Sequence, residues 1–201
     1  MSVRLVVASA NRKKLAELIE LLRGAPVEIV SAAELSLPDV EETGSTFEEN
    51  AAIKAIAASR ASGMLALADD SGLEVDALGG APGVRSARYA SNGPGNASDA
   101  DNRAKLLSAL RDVAEGRRTA RFRCAIAVAR GEEVVLRADG SVEGAILDRE
   151  RGSLGFGYDP LFVPRGATRT FAEMPPDEKA RWSHRARALA ALRPGLVALR
   201  G

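Results

Sequence analysis

One cysteine, one histidine and one tryptophan in 201 residues close off several chemistries before any motif is considered. Cys124 has no second thiol, so an internal disulfide is excluded and a cysteine-based zinc site is unsupported. It lies in an alternating strand pattern, and a packed core thiol is expected. Five Phe and two Tyr complete the aromatic inventory. That is too few for the interleaved basic and aromatic track that grips single-stranded nucleic acid. An excess of one charge is missing too: 28 basic residues face 27 acidic ones, for a net charge of +1. General binding to nucleic acid or a membrane surface needs a basic excess. Neither is expected as a partner, and any polyanion must be met by a local cluster. The apolar opening from Val3 to Ala8 is far too short for a signal sequence or a membrane span. A cytoplasmic enzyme is the expectation.

The rest of the composition is that of an ordinary globular protein, with 46% apolar and 27% charged residues. A chain of this length buries about 70% of its unfolded surface. With no repeat, low-complexity tract or linker, residues 1–201 are taken as one domain, in one body or two lobes sharing a core. Val3 to Ala8 has the character of a buried strand, and Leu15, Leu18, Ile19 and Leu22 trace one helix face between Asn11 and Arg23. Val27 to Val30 suits a second strand. Thr46 and Glu49 form a capping box for a helix that Gly63 stops near Ser62. A third strand is expected over Leu65 to Ala68. This β-α-β-α-β order predicts a largely parallel or mixed sheet covered by helices. Residues 79–95 suit an ordered surface loop, and Ser98 with Asp101 opens a helix bearing Leu106, Leu107, Leu110 and Val113. Ala120 to Val128 alternates as a half-buried strand. A turn at Gly131–Glu133 leads to strands over Val134 to Ala138 and Ser141 to Ile146.

The most informative segment follows the third strand. In Ala68-Asp69-Asp70-Ser71-Gly72-Leu73-Glu74-Val75-Asp76, four carboxylates fall within eight residues. Hard oxygen ligands at the end of a buried strand suit Mg²⁺, which keeps most of its waters and takes only one or two protein carboxylates. A solvated acidic turn would have the same composition; matching segments elsewhere tip the balance toward a site. Ser9-Ala10-Asn11-Arg12-Lys13-Lys14 lies where a strand meets a helix, and backbone N–H groups at a helix start receive phosphate. Ahead of the capped helix stand Glu41 and Glu42, with Asn50 and Lys54 one turn apart on it. In Gly152 to Pro160, three glycines surround Phe156 and Tyr158, a loop that lets backbone approach a flat ligand while a ring stacks on it. Finally, Trp182, Ala186, Leu189 and Leu192 form a core-facing stripe at helical spacing. Lys179, His184 and Arg185 lie off it, where an arginine fork can read phosphate or a base edge.

Taken in order, these segments resemble one family. The spacings are S-x-N-x-x-K-x-x-E from Ser9, E-x-x-G-x-T-F-x-E-N-A-x-x-K-A from Glu41 and A-D-D-S-G-L-x-V-D-A-L-G-G-A-P-G-x-x-S-A-R-Y from Ala68. They continue with G-x-x-G-F-G-Y-D-P-x-F from Gly152 and S-H-R from Ser183. Together they are similar to the inosine/xanthosine triphosphate pyrophosphatase family over nearly the whole chain. The resemblance implies an elongated, two-lobed α/β fold with a long, twisted, mixed central sheet flanked by helices and an active-site cleft between the lobes. It also implies a homodimer and Mg²⁺-dependent hydrolysis of ITP, dITP and XTP to the monophosphate and pyrophosphate. Carried over, Glu41 and Asp70 match the metal positions, and Asp70 the general base. Ser9, Ala10, Asn11, Arg12, Lys13, Lys14, Ser71, Phe156, Gly157, Tyr158, Asp159, Lys179, His184 and Arg185 match substrate contacts, and Lys54 a phosphate-side lysine. Ala10 departs from the glycine that many members carry. The alternatives are a related-fold pyrophosphatase acting on pyrimidine or modified nucleotides and a nucleotide-binding protein without turnover.

Overall fold

A computed structural model describes residues 3–25, 27–93 and 95–199. The strands are β1 (Val3–Ala8), β2 (Val27–Ser31), β3 (Leu65–Val75), β4 (Thr119–Arg130), β5 (Glu133–Ile146) and β6 (Phe162–Pro164). The helices are α1 (Arg12–Leu21), α2 (Phe47–Ser62), α3 (Asp99–Ala109), α4 (Pro176–Trp182) and α5 (His184–Ala198). The strands form one mixed sheet in the order β2-β1-β3-β4-β5-β6. Among the described residues, no helix is long and apolar enough to cross a membrane.

Two compact units divide the chain. The first comprises residues up to Asp70, Cys124–Gly140 and residues from Arg185; the second comprises Ser71–Arg123 and Ser141–His184. In the first, β1 pairs in parallel with β2 (Leu5 beside Ile29) and with β3 (Leu5 beside Leu65). A strand buried on both faces needs apolar residues at successive positions, and β1 supplies them. Leu5 and Val7 pack with Leu18 of α1, with Leu22 just after it, and with Leu189, Leu192 and Leu196 of α5. Val6, on the opposite face, meets Ala58 of α2 and Ala66. Small residues on α2 permit that close approach. The helix starts at the Thr46 capping box and ends at Gly63, in a left-handed conformation, as the sequence predicts. In the second unit, Leu106, Leu110, Val142, Ile146 and Leu161 surround three of the five phenylalanines. The Phe122 and Phe162 rings meet edge to face at 4.7 Å between centroids, and Phe162 lies 5.3 Å from Phe171.

The structure differs from the sequence expectations where polar residues imitate chain ends. β3 does not stop at Ala68 but runs on to Val75, because Leu73 and Val75 are fully buried and the carboxylates between are internally partnered. The strands expected over 134–138 and 141–146 are one strand, β5, running through the turn-like Asp139-Gly140 pair. α1 begins after Asn11, which caps it, and ends two residues before Arg23. α3 ends before Leu110, leaving Val113 outside. Residues 79–95 include a 3-10 turn over Gly83–Arg88. The helix expected through Trp182 to Leu192 breaks at Ser183, so Trp182 packs with the second core and Leu189 and Leu192 with the first.

Ser59, 1% exposed, ties the end of α2 to the β4–β5 turn: its Oγ donates to the Met64 carbonyl at 2.7 Å and accepts the Gly131 N–H at 2.8 Å. Replacing it with alanine strands two polar groups, at a cost of about 2 kcal/mol. Urea denaturation of Ser59→Ala should show a lower midpoint with an unchanged slope; an unchanged midpoint would mean that neither bond contributes.

Candidate active site

In the first unit, the polar middle of β3 is the meeting point of four other segments. Asp69 and Asp70 are 1% and 4% exposed, and buried carboxylates persist only with partners. Asp69 Oδ2 accepts from both Nε and Nη2 of Arg185 at 3.3 Å, and Lys14 Nζ lies 4.0 Å away. Arg185 also gives Nη1 to Glu17. Burial works against the Asp69 charge. The cations of Lys14, Arg185 and Lys54 outweigh it and hold this carboxyl far below the usual range. The Cys124 thiol lies 3.9 Å from the same oxygen; burial and the Asp69 charge push it well up, which keeps it a neutral packed thiol as expected.

Asp70 has the opposite fate. Its Oδ2 accepts from Asn50 Nδ2 at 3.1 Å, and Lys54 Nζ lies 3.6 Å from Oδ1 while contacting Glu42 Oε1 at 2.5 Å. Burial raises the Asp70 pKa; Lys54 opposes this, but Glu42 adds to it, and the net direction is upward. Burial alone would lower the Lys54 pKa; Asp70, Asp69 and Glu42 reverse that and keep the ammonium charged. Asn50 reaches Asp70 because its own Oδ1 takes the Gly44 N–H at 2.8 Å. A Cβ on Gly44 would lie 2.7 Å from that oxygen and 2.7 Å from the Glu49 Cβ, so a larger residue there would have to displace one of them.

The residues expected at the site fall into two groups, one in each unit. The first contains Asp70, Lys54, Lys14 and Arg185, together with three residues of the candidate segments that the family resemblance did not carry over as site residues: Asp69, Glu42 and Asn50. Glu41 is exposed, while its neighbour Glu42 is the one paired to Lys54. Ser9 and Ala10 lie in the turn after β1. Asn11 Oδ1 accepts the Lys13 and Lys14 amides at 3.0 and 3.2 Å, so these helix-start donors already have a partner within the chain; Arg12 and Lys13 are exposed. Arg185 is only 1% exposed, and its guanidinium engages Asp69 and Glu17. The signal for Asp69 and Asn50 was present as carboxylate and amide within helical or strand patterns, but only burial distinguishes such residues from a solvated face.

The second group surrounds Asp159. Its Oδ2 accepts the Phe156 N–H at 2.9 Å and Lys179 Nζ at 2.8 Å, and that ammonium sits 4.8 Å over the Phe156 ring. The Tyr158 hydroxyl donates to the Ser86 carbonyl at 2.8 Å, and burial raises its pKa. Gly157 is the residue between the two rings. His184 is buried with its ring stacked on Phe122 at 4.9 Å and 11°. Ser71, partly exposed, is the first residue of this unit. Among the described residues, no three His, Cys, Asp or Glu side chains are arranged to hold a metal by themselves.

A mixed α/β sheet protein with a buried carboxylate–lysine cluster on a central strand is the class these features define. Residues 5–195 match the profile of the Ham1 family, and the chain belongs to that family. It is 53% identical over 203 residues to a dITP/XTP pyrophosphatase from Methylococcus capsulatus, with both chains covered completely. A HAM1 protein from Coxiella burnetii has a similar structure, with a TM-score of 0.88 and 46% identity over 98% of this chain and 99% of its own. The Ham1 protein of Staphylococcus aureus gives 0.83 and 38% over the same shares.

The two adjacent aspartates should respond oppositely to neutralisation. Asp69→Asn removes the main counter-ion of a buried arginine and should cost about 3–5 kcal/mol. The raised Asp70 pKa means that the native state binds this proton more tightly than the unfolded chain does. Wild-type stability therefore falls as pH rises from the ordinary aspartate value through the folded one. Asp70→Asn lacks this loss. In EDTA its melting temperature should exceed the wild-type value at neutral pH, with the difference shrinking toward about pH 4. Thermal melts across that range check both signs.

Proposed function

We propose that this chain hydrolyses ITP, dITP and XTP to the monophosphate and pyrophosphate, clearing non-standard purine nucleotides from the pool. The observation that carries this reading is the Asp70 cluster: a buried carboxylate with a raised pKa, set between a charged lysine and a second carboxylate. The identity to a dITP/XTP pyrophosphatase over both full chains supports the substrate class.

Asp70 serves as the base, orienting a water and accepting its proton during attack at the α-phosphorus; its raised pKa brings it toward the pH at which it works. Lys54, held charged by its neighbours, stabilises negative charge moving onto the leaving pyrophosphate. Lys14 and the turn from Ser9 to Lys13 receive phosphates. A divalent cation fits the donor set. Asp70 and Glu41 would hold Mg²⁺, an ion that takes one or two carboxylates and completes its shell with waters and phosphates. When bound, it supplies charge neutralisation and a more acidic water. Ser71 adds a hydroxyl for the phosphates.

The base falls to the second group. Phe156 offers a ring whose place is set by Asp159 and Lys179, with Gly157, Tyr158 and His184 completing the recognition surface. Donors aimed at a purine 6-oxo group accept hypoxanthine and xanthine. Adenine presents an amino group there and leaves buried donors facing a donor, a mismatch that sites reject strongly. Residues 1–201 act as one two-lobed domain in this reading, as a homodimer in the cytoplasm.

Pyrophosphate release from ITP, XTP, GTP, ATP and dTTP, with Mg²⁺ or EDTA, tests the proposal. ITP and XTP should turn over strongly with Mg²⁺ and the other three weakly. Asp70→Asn should lose about 10²–10⁴-fold in rate while remaining folded. A dTTP preference would transfer the chain to pyrimidine nucleotides; binding without turnover would make it a nucleotide-binding protein; full activity in Asp70→Asn would remove the base.

A further inference from the structure

The loop between Gly152 and Asp159 is gripped from outside by a helix to which no role has been given. Gly157 donates its N–H to Asp99 Oδ2 at 2.9 Å, and its carbonyl accepts from Arg103 Nη1 at 3.0 Å. Asp99 and Arg103 are four residues apart on α3 and therefore share a face of it. The N–H belongs to the peptide plane before Gly157 and the carbonyl to the plane after it. Holding both planes fixes the two torsions of Gly157, whose φ is +60°. Glycine populates this left-handed region freely but also many others, so without the two anchors the direction of the chain from Phe156 to Tyr158 is weakly defined. Charged partners make both bonds stronger than neutral ones.

The helix is itself a fixed reference. Leu106 and Leu110 at its end are fully buried. Asn102, 2% exposed, accepts the Ala90 N–H at 2.8 Å and donates to the Ala87 carbonyl at 3.1 Å. Arg103 is braced in turn by Glu150, which accepts its Nε at 2.8 Å. Asp159 and Lys179 hold the neighbouring Phe156. The glycine between the two rings is thus pinned by α3 while the ring beside it is pinned by α4.

We infer that Asp99 and Arg103 form a clamp that sets the conformation of the Phe156–Tyr158 loop and through it the affinity and selectivity for the base. They are positioning residues, and the inference rests on the assignment of this loop to base recognition. Loss of the clamp weakens binding and blurs discrimination, while the chemistry at Asp70 proceeds once the substrate is bound.

Steady-state kinetics of the full-length enzyme test this with Asp99→Ala, Arg103→Ala and the conservative Asp99→Asn, which keeps an oxygen acceptor for the Gly157 N–H. Amide hydrogen exchange of the 152–159 segment is read in parallel. Each alanine variant should raise KM for ITP about tenfold, change kcat less than about twofold, lower the ITP-to-GTP ratio of kcat/KM, and accelerate exchange at Gly157. Asp99→Asn should recover most of the KM. If exchange accelerates but KM and the ratio stay at wild-type values, the pair only stiffens the loop and the inference fails. A fall in kcat at unchanged KM overturns it too. A wild-type enzyme with no preference for ITP over ATP overturns the base-recognition reading and this inference together. A wild-type preference with unaffected variants overturns the inference alone.

Discussion

The first unit is organised around one buried charge. Asp69 sits on a central strand at 1% exposure, and a carboxylate cannot stay ionised there without cations brought to it. Arg185 comes from the start of α5 and Lys14 from the first turn of α1; Glu17 balances the second side of the guanidinium. Satisfying Asp69 thus fixes where two helices begin relative to β3. The arrangement extends to the next residue. At Asp70, desolvation and the nearby Glu42 outweigh Lys54, Lys14 and the Asn50 amide, which favour its charge. One carboxyl becomes a permanent anion and its neighbour a proton acceptor, from the same residue type one position apart.

Much of this frame was legible in the sequence because it rests on local rules. Thr46 and Glu49 cap α2, Gly63 ends it, and the periodicity of Leu15, Leu18 and Leu22 marks the buried face of the first helical segment, although Ile19, expected on the same face, is exposed. What escaped was long-range compensation. Nothing local announces that Asp69 meets Arg185, 116 positions away, so the carboxylates looked like the end of a strand when they were its middle. The break expected between the strands over 134–138 and 141–146 fails for a similar reason: Asp139 and Gly140 are poor strand formers on average, and pairing in a sheet overrides the average. At the site, Lys54 and Lys179 stood out as cations in unexpected places. The preference of Lys54 for Glu42 over Glu41 did not, because adjacent residues of one type differ only in where the backbone aims them.

The second unit shows how a chain poor in aromatics spends them. Phe122, Phe162 and Phe171 cluster around one another, with His184 stacked on the first. Phe156 is left for the glycine loop, partly exposed under the Lys179 ammonium. That ammonium over a partly exposed ring makes an attractive contact and orients the ring before any ligand arrives.

Cys124 has a consequence of another kind. It is the single thiol of the chain, 1% exposed in the core of the first unit and held in its protonated form by burial and Asp69. Reaction with a thiol reagent requires the thiolate and access to it, and the folded protein withholds both. Alkylation therefore proceeds only through openings that expose β4. The rate of labelling at this one sulfur then counts how often the core around Asp69 comes apart, so the unmodified protein carries its own clock for local unfolding.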